Sequence, residues 1–258
     1  MKIVIIGAGN LATHLSRALQ QTGEQIVQVY SRTAVSASEL ATLLNVPYTT
    51  NLDEITADAD VYFYAVSDDA LESLLQLPLA PGAIHVHTAG SVSMDVFKGK
   101  KSNYGVFYPL QTFSKNKQVD FKTISVFVEA SFPEVESTLF KLAHAVSEQV
   151  YKTNSEQRLK LHLSAVFACN FVNHLYQIAS EVVKSADLPF EVLKPLIIET
   201  AEKVMQLSPE EAQTGPAKRN DQGVINKHLD VLGDEDPSLK KLYQDLSDMI
   251  LNQYLHQS

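Results

Sequence analysis

Two glycines and an alanine near the N-terminus have the spacing of a phosphate-binding turn. Apolar residues 3–6 predict a strand, and Gly7, Gly9 and Ala12 follow it as Gly-x-Gly-x-x-Ala at the start of a predicted helix. The first glycine permits a tight turn, the second lets phosphates approach the backbone, and the third small residue lets helix and strand pack closely. The helix N-terminus also favours an anion. We expect a dinucleotide pyrophosphate on Gly7, Ala8, Gly9, Asn10 and Leu11; the alternative is an ordinary turn with incidental glycines.

The end of the second predicted strand indicates which dinucleotide would bind. An NAD enzyme usually has an acidic residue about twenty residues after the glycine turn, where it accepts the ribose hydroxyls. No Asp or Glu occurs between Gln25 and Ser38, and the strand continues into Ser31, Arg32 and Thr33. A guanidinium between two hydroxyls suits a phosphate dianion. The sequence therefore predicts NADP(H) as the cofactor, unless Arg32 is only a solvated loop cation.

Two further predicted strands end in residues that could line the same site. Ligands of open α/β sheets bind beyond the carboxyl ends of the strands. Val66 and Ser67 are therefore predicted to contact the cofactor, and His87 to contact the substrate near the nicotinamide. The alternatives are structural: Ser67, Asp68 or Asp69 would cap the next helix, and His87 would be a hydrogen-bonded core residue.

The composition limits the classes of partner and compartment. The 258 residues are 45% hydrophobic and 20% charged, which is typical of a globular protein with a buried core. A net charge of −9 argues against a nucleic-acid partner. The single Cys169 excludes an internal disulfide framework, fits a reducing cytoplasm and is interpreted as a small core residue. The scattered histidines predict no metal site, and the apolar runs are too short for a signal peptide or a membrane span.

Short apolar segments alternate with helical patterns over residues 1–153 and then give way to helices alone. The alternation predicts a Rossmann α/β domain, a doubly wound and mostly parallel sheet with helices on both faces. Residues 154–258 are predicted to form an all-α domain, whose apolar faces suggest burial against a partner subunit. The predicted strands are Ile3 to Ile6, Ile26 to Tyr30, Pro47 to Thr50, Val61 to Val66, Ala83 to His87, Tyr104 to Phe107, Ile124 to Glu129 and Gln149 to Lys152.

The first long helix of the second half carries a polar stripe. At 100° per residue, His162, Asn170, Asn173 and Gln177 fall within an arc of about 80° on an otherwise apolar helix. Facing a crevice, His162 could transfer a proton to or from a substrate heteroatom, and Asn170 could hold a carbonyl or imine group. Facing another helix, the stripe would be an internally satisfied polar seam.

A basic loop in the second half is a candidate anion site. Lys218 and Arg219 concentrate positive charge in an acidic chain, just before a predicted helix. They could bind a substrate carboxylate or phosphate. The alternative is an inter-helix turn whose cations pair with nearby acidic residues.

Five motifs together resemble the Rossmann oxidoreductases that carry a C-terminal helical dimerisation domain. That group includes pyrroline-5-carboxylate reductases, deazaflavin-dependent NADP oxidoreductases and 3-hydroxyacid dehydrogenases, with a helical domain like that of 6-phosphogluconate dehydrogenase. This chain is most similar to a bacterial subgroup whose helical domain is uncharacterised. The motifs are GAGNLA at 7–12, YSRT at 30–33, YPLQTF at 108–113, LHLSAVFACNF at 161–171 and TGPAKRND at 214–221.

The resemblance implies a site as well as a fold. It implies that His162, Asn170 and the 214–221 loop converge near the nicotinamide, that Gln111 contacts the substrate, and that the helices form a homodimer. This chain departs from the subgroup at two positions, with Tyr108 where His is usual and Asn220 where Gly is usual. The pattern alone therefore supports neither proton transfer at position 108 nor a tight turn at position 220.

The combined features predict an NADP(H)-dependent oxidoreductase that moves hydride to or from a small carbonyl, imine or hydroxy compound. His162 and Asn170 are the candidate catalytic residues, and His87, Gln111, Lys218 and Arg219 the candidate substrate ligands. One alternative is a non-catalytic NADP(H)-binding sensor or scaffold that acts through its helices. Another is a Rossmann protein that binds a different adenine ligand.

Overall fold

An eight-stranded sheet forms the first part of the protein. The computed structural model describes residues 1–115, 117–233 and 236–255. In spatial order the strands are β3-β2-β1-β4-β5-β6-β7-β8. Their bounds are β1 Lys2–Ile6, β2 Gln25–Tyr30, β3 Tyr48–Thr49, β4 Val61–Tyr64, β5 Ile84–His87, β6 Asn103–Pro109, β7 Val126–Ala130 and β8 Val150–Lys152.

Helices connect the strands and follow β8 in the rest of the described chain. Short 3-10 turns lie at Leu52–Glu54, Met94–Phe97, Phe121–Thr123 and Phe190–Leu193. The α-helices are α1 Asn10–Gln21, α2 Ala34–Leu44, α3 Asp68–Leu74, α4 Pro133–Val146, α5 Ser155–Ala165, α6 Val172–Ser185, α7 Lys194–Gln206, α8 Pro209–Ala212, α9 Gln222–Leu232 and α10 Pro237–Leu255.

The sheet has Rossmann topology with two added strands. Strands β1 to β6 are parallel in the order 3-2-1-4-5-6, whereas β7 is antiparallel to β6 and β8 is parallel to β7. Successive residues of β1 point to opposite faces, because Ile3 and Ile5 belong to one buried apolar cluster and Val4 and Ile6 to another. Both faces of the sheet are therefore covered, and the predicted α/β fold is confirmed.

All eight predicted strands are present, within a few residues at each end. The chain divides into two compact units, residues 1–175 and 176–258. The predicted domain boundary after Thr153 falls between the last strand and α5 and stays a prediction. In the parts of the chain that the structure describes, no helix is long and apolar enough to cross a membrane. The same residues contain no cluster of His, Cys, Asp or Glu that could hold a metal ion.

A π-helical segment interrupts the long helix that was predicted after Thr153. Residues Val166–Phe171 connect α5 to α6 with π-type bonding, which takes one more residue per turn than an α-helix. The assumption of 100° per residue across this stretch is therefore wrong. Cys169 lies in the segment and is exposed, so its interpretation as a core residue is also wrong.

Candidate functional site

A cavity of about 670 Å³ lies beyond the carboxyl ends of β1, β2, β4 and β5. This is the edge of an open α/β sheet where ligands bind, since the strand order reverses there. The cavity brings together nine of the ten residues predicted to bind the cofactor, Thr33 being the exception. The lining residues are Gly7, Ala8, Gly9, Asn10, Leu11, Tyr30, Ser31, Arg32, Leu52, Ala65, Val66, Ser67, Ala70, Ser73, Leu74, Thr88 and Ala89.

The two glycines of the turn serve different purposes. Gly7 has φ +115°, and a Cβ there would lie 2.1 Å from the carbonyl oxygen of Ala65. Its N–H donates to the carbonyl of Tyr30 at 2.8 Å, which ties the turn to β2. A Cβ on Gly9 would meet no atom of the described residues within 4 Å. Gly7 is therefore needed for the path of the chain, whereas Gly9 leaves open space in front of the backbone.

That open space fits a diphosphate. Gly9 is the N-cap of α1 and has no side chain to bond the first N–H groups of the helix, which leaves these donors for an anion. The side-chain amide of Asn10 is turned to the carbonyl of Phe113, to which it donates at 2.8 Å. Backbone N–H groups, not the Asn10 side chain, are thus the donors that the turn offers.

The end of the cavity near β2 carries the cation Arg32. Arg32 is exposed, lines the cavity, and takes part in none of the ion pairs found among the described residues. Ser31 lines the cavity beside it. Thr33 is the N-cap of α2 and does not line the cavity. The Arg32 guanidinium can therefore bind a phosphate without breaking an existing ion pair.

The predicted alternative, that Ser67, Asp68 or Asp69 caps the next helix, is wrong for the Ser67 side chain. Ser67 occupies the N-cap of α3 but its side chain makes no capping hydrogen bond, so its hydroxyl is left at the cavity wall. Asp68 instead accepts a hydrogen bond from the Ser91 hydroxyl. Glu72, three residues after Asp69 and thus at the position that would complete a capping box with it, forms an ion pair with Lys100 at 3.0 Å.

A histidine and a tyrosine meet next to the β5 end of the cavity. The Tyr108 hydroxyl, on β6, lies 3.1 Å from Nδ1 of His162, on α5. His162 packs against Gly90, the residue after Ala89 of the cavity wall, and a Cβ on Gly90 would lie 2.6 Å from the same nitrogen. Burial raises the pKa of the Tyr108 hydroxyl, and the nearby charge of Arg158 partly opposes that shift. Tyr108 therefore stays protonated at neutral pH and can donate to His162.

We call His162 and its neighbours Tyr108, Gly90 and Arg158 the His162 corner. The last three of these residues were not predicted from the sequence. The subgroup pattern supported no proton transfer at Tyr108, and Gly90 and the buried Arg158 were not singled out. Two signals were present. Arg158 precedes His162 by four positions, which places both on one helix face, and Gly90 closely follows a strand end.

The remaining members of the polar stripe do not form one regular row with His162. Asn170 lies inside the π-helical segment, and Asn170, Asn173 and Gln177 are all exposed. The Gln177 side chain donates to Glu181 at 2.7 Å. A catalytic role of Asn170 stays a prediction.

Two predicted substrate ligands lie outside the cavity lining. His87 has no exposed surface, its ring stacks on Phe97, and its Nδ1 accepts a hydrogen bond from the N–H of Ala89. Burial lowers the pKa of His87 to about 3, so the ring is neutral. This placement matches the alternative of a core histidine and offers no surface to a substrate. Gln111 is exposed, and its side chain accepts from the N–H of Thr112.

The basic loop is folded within the second unit. The Lys218 ammonium donates to the carbonyl of Gln213 at 2.9 Å and lies 4.5 Å from the centre of the Tyr254 ring. Arg219 is exposed. Asn220 has φ +53°, so the tight turn forms with Asn, the non-glycine residue type that tolerates this conformation best. Substrate binding by Lys218 and Arg219 stays a prediction.

Comparison with known proteins agrees with this geometry. Residues 2–89 match the family described as NADP oxidoreductase, coenzyme F420-dependent, and residues 124–250 match a domain of unknown function, DUF2520. A crystal structure of a Bacteroides fragilis protein assigned as an NADP oxidoreductase is 50% identical, with a TM-score of 0.92 over 97% of this chain and 98% of that chain. The chain belongs to this NADP oxidoreductase family. The family resemblance inferred from the sequence motifs is thereby confirmed, and the protein is an oxidoreductase by membership.

More distant structures share the fold. The 1-pyrroline-5-carboxylate reductase of Streptococcus pyogenes is 16% identical, with a TM-score of 0.67 over 98% of both chains. An imine reductase of Streptomyces aurantiacus is 13% identical, with a TM-score of 0.67 over 97% of this chain and 96% of that chain. No functionally curated protein matches the chain in sequence. At such low identities these two structures support the fold alone.

Proposed function

We propose that this NADP oxidoreductase family member binds NADP(H) in the 670 Å³ cavity and reduces or oxidises a small carbonyl, imine or hydroxy compound. One observation carries the proposal. The cavity has in its wall the glycine turn and Arg32, which forms no ion pair with any described residue, and the Tyr108–His162 pair lies beside Gly90, next to the wall residue Ala89.

The cavity wall supplies the groups that each part of the cofactor needs. The N–H groups at the start of α1 would hold the diphosphate, with Gly9 leaving room for it. Arg32 and Ser31 would bind the 2′-phosphate, since a guanidinium binds a phosphate through charge-assisted hydrogen bonds. Val66 and Ser67 would line the middle of the site, and Thr88 and Ala89 its far end.

The Tyr108–His162 pair would supply the proton. Bound NADPH would supply hydride to the substrate carbon, and the heteroatom of that carbon must then gain a proton. A protonated Tyr108 that donates to Nδ1 leaves the hydrogen of a neutral His162 on Nε2. Nε2 is then the nitrogen that can donate to the substrate, and Tyr108 holds the ring in that tautomer. As Nε2 gives up its proton, Nδ1 would take the proton of the Tyr108 hydroxyl, so the ring stays neutral and the Tyr108 oxygen regains a proton from solvent. In the oxidative direction the same transfers would run in reverse.

We also propose that the chain forms a homodimer through its helices, as the resemblance implied. The support is a row of large apolar side chains, spaced by four residues, that are at least 39% exposed. Side chains of this kind in a row usually mark an interface. A monomer in sedimentation equilibrium at micromolar concentration would contradict this. The row consists of Leu159, Leu163, Phe167, Phe171 and Leu175.

The cofactor assignment is tested by titrating NADPH and NADH into the protein and following nicotinamide fluorescence. Arg32→Ala should raise the Kd for NADPH by about tenfold to a hundredfold, because charge-assisted hydrogen bonds are lost, and leave the Kd for NADH unchanged. Arg17→Ala removes the same charge from α1 outside the cavity and is the matched control. Equal losses for both coenzymes would refute the role of Arg32.

The catalytic assignment is tested with a panel of ketones, cyclic imines and hydroxy acids. His162→Ala should lower turnover by about a hundredfold or more, which is the usual contribution of a general acid, while the Kd for NADPH stays that of the wild type. A variant with full turnover would refute the role of His162. Tight NADPH binding without turnover of any panel member would favour the alternative of a sensor or scaffold.

A further inference from the structure

A fully buried arginine lies one helical turn before His162. The Arg158 side chain has no exposed surface, although arginine is rarely buried without partners. Each part of its guanidinium is satisfied: Nε donates to the carbonyl of Ala89 at 3.2 Å, one terminal nitrogen donates to Glu129, and the other donates to the carbonyl of Val92 and lies 3.3 Å from the Ser155 hydroxyl. Arg158 therefore binds α5 to the 89–92 loop that follows β5.

The carboxylate partner fixes the other end of this network. Glu129, on β7, accepts from the backbone N–H of Ser155 at 3.0 Å and from its hydroxyl at 2.9 Å. The Ser155 hydroxyl in turn accepts from the N–H of Met94 at 2.9 Å. The start of α5, the end of β7 and the segment after β5 are thus joined by one buried ionic network, which holds α5 in place against the sheet.

The two carbonyls that Arg158 binds flank the contact with His162. Gly90 lies between Ala89 and Val92, and a Cβ on it would fall 2.6, 2.7 and 2.9 Å from three atoms of the His162 side chain. The ring can therefore occupy its place, 3.1 Å from the Tyr108 hydroxyl, only because residue 90 has no side chain. Ala89, on the N-terminal side, lines the cavity.

We infer that Arg158 and Gly90 are positioning residues, which set where the His162 ring meets the cofactor cavity. Arg158 holds the loop through two carbonyls, and Gly90 leaves the space that the ring fills. This inference rests on the proposed function, because it assigns the Arg158 network to the proton-transferring corner. A buried ion pair contributes little net stability compared with well-packed apolar residues, so stability alone does not account for this arrangement.

The inference predicts a defect in geometry, not in cofactor binding. Gly90→Ala should displace the His162 ring from Tyr108, and Arg158→Lys should loosen the loop, because an ammonium keeps the charge but not the planar fork that reaches both carbonyls. Each should lower turnover by about tenfold to a hundredfold, the effect of a small misplacement of a reacting group, with an unchanged Kd for NADPH. Gly82→Ala, where a Cβ meets no atom within 4 Å, and Lys160→Met on the exposed face of α5 are the controls.

A readout independent of catalysis comes from the imidazole ring itself. Proton–nitrogen correlation spectra of the wild type should show one ring tautomer at His162, and Gly90→Ala and Arg158→Lys should shift its nitrogen signals, whereas the two controls should not. In thermal unfolding, Gly90→Ala should lower the Tm of the wild type more than that of His162→Ala, because the ring atoms at 2.6 and 2.7 Å are then absent and only the Cβ contact at 2.9 Å remains. Coupling of this kind between two residues is what a double-mutant cycle measures.

The outcomes separate this inference from the proposed function. Unshifted His162 signals in both variants, or an equal Tm loss from Gly90→Ala with and without the imidazole, would overturn the inference whatever the enzyme catalyses. If the wild type binds no NADPH while the ring signals and the Tm coupling behave as stated, the proposed function fails and the positioning of His162 stands. If Arg158→Lys fails to fold, Gly90→Ala still decides the question.

Discussion

The cofactor cavity and the His162 corner lie next to each other but are built in different ways. The glycine turn and Arg32 come from one continuous β1-α1-β2 stretch, and the cavity depends on how that stretch turns. The corner combines side chains that lie far apart in the sequence, such as Tyr108 and His162, 54 positions apart, and Arg158 and Ala89, 69 positions apart. The shape of the cavity thus depends on the local geometry of one chain segment, whereas the His162 corner depends on contacts between side chains that are distant in the sequence.

The largest effect on stability and on cofactor binding should come from a change in the glycine turn of the cavity. Gly7→Ala places a Cβ 2.1 Å from the Ala65 carbonyl at a φ of +115°, so β1 and β4 cannot keep their spacing. We expect a loss of more than about 3 kcal/mol in the free energy of unfolding and loss of NADPH binding. Urea unfolding followed by circular dichroism measures the first, and fluorescence titration the second.

The control for this change is another glycine with a positive φ. Gly23 has φ +91°, and a Cβ on it would meet no atom of the described residues within 4 Å. Gly23→Ala should therefore lower the free energy of unfolding only through backbone strain. If Gly23→Ala costs as much as Gly7→Ala, the close approach of β4 is not the reason that residue 7 is glycine, and the account of the turn is wrong.

An intermediate effect should come from pH, through two histidines of β5, the strand that leads into both regions. Burial lowers the pKa of His85 and of His87 from 6.5 to about 3. As the pH falls below 6.5 the unfolded chain takes up protons that the folded protein does not, so the folded state loses stability down to about pH 3. The expected loss between pH 7 and pH 5 is about 2 kcal/mol per histidine.

Replacing one of the two histidines measures how much of the pH dependence of stability that histidine causes. His87→Phe keeps a ring against Phe97 and removes the titrating group along with Nε2, a buried atom without a hydrogen-bond partner in the described part of the chain. This variant should therefore lose about 2 kcal/mol less than the wild type between pH 7 and pH 5 in urea unfolding. His144→Gln, on the exposed face of α4, is the control and should keep the full pH dependence. An unchanged slope in His87→Phe would show that the pKa of His87 is not depressed.

The smallest effect should come from removing the Tyr108 hydroxyl, which orients the His162 ring. Tyr108→Phe keeps the ring contact with Phe127 and removes the hydrogen bond to Nδ1. We expect turnover to fall by about tenfold, the worth of one hydrogen bond, and the Kd for NADPH to stay the same. Tyr104→Phe changes the same chemistry at the start of β6, where the ring stacks on Phe97. If both variants behave alike, Tyr108 has no particular role in orienting His162.

The contrast between the two regions also explains how far the sequence could lead. The eight strands and the cavity wall at Gly7 to Leu11 were predictable, because strand periodicity and turn chemistry depend on neighbouring residues. The side-chain direction of His87 was not, since that residue ends a strand whose burial depends on Phe97. The same holds for Ser67, whose capping role was excluded only by the observed hydrogen bonds.

The corner was predictable only in part. His162 stood out as a polar residue on an apolar helix, but its partners Tyr108 and Gly90 belong to β6 and to the loop after β5, and no local pattern joins them. The angular relation between Asn170 and His162 could not be predicted for a different reason. The angular arithmetic assumed an uninterrupted α-helix, and the π-helical segment changes the phase between the two residues.

The π-helical segment also allows the chain to lose one residue at this place without a break in the helix. Because a π turn holds one residue more than an α turn, deleting a single residue within Val166–Phe171 would leave a continuous α-helical ladder. The side chains from Val172 onward would then keep about the same direction relative to α5, because the wider π turn covers with one extra residue the rotation that an α turn covers without it. A single-residue deletion within this segment would thus leave the outward-facing side chains of α6 the same, whereas a deletion within α5 or α6 would turn them to another side.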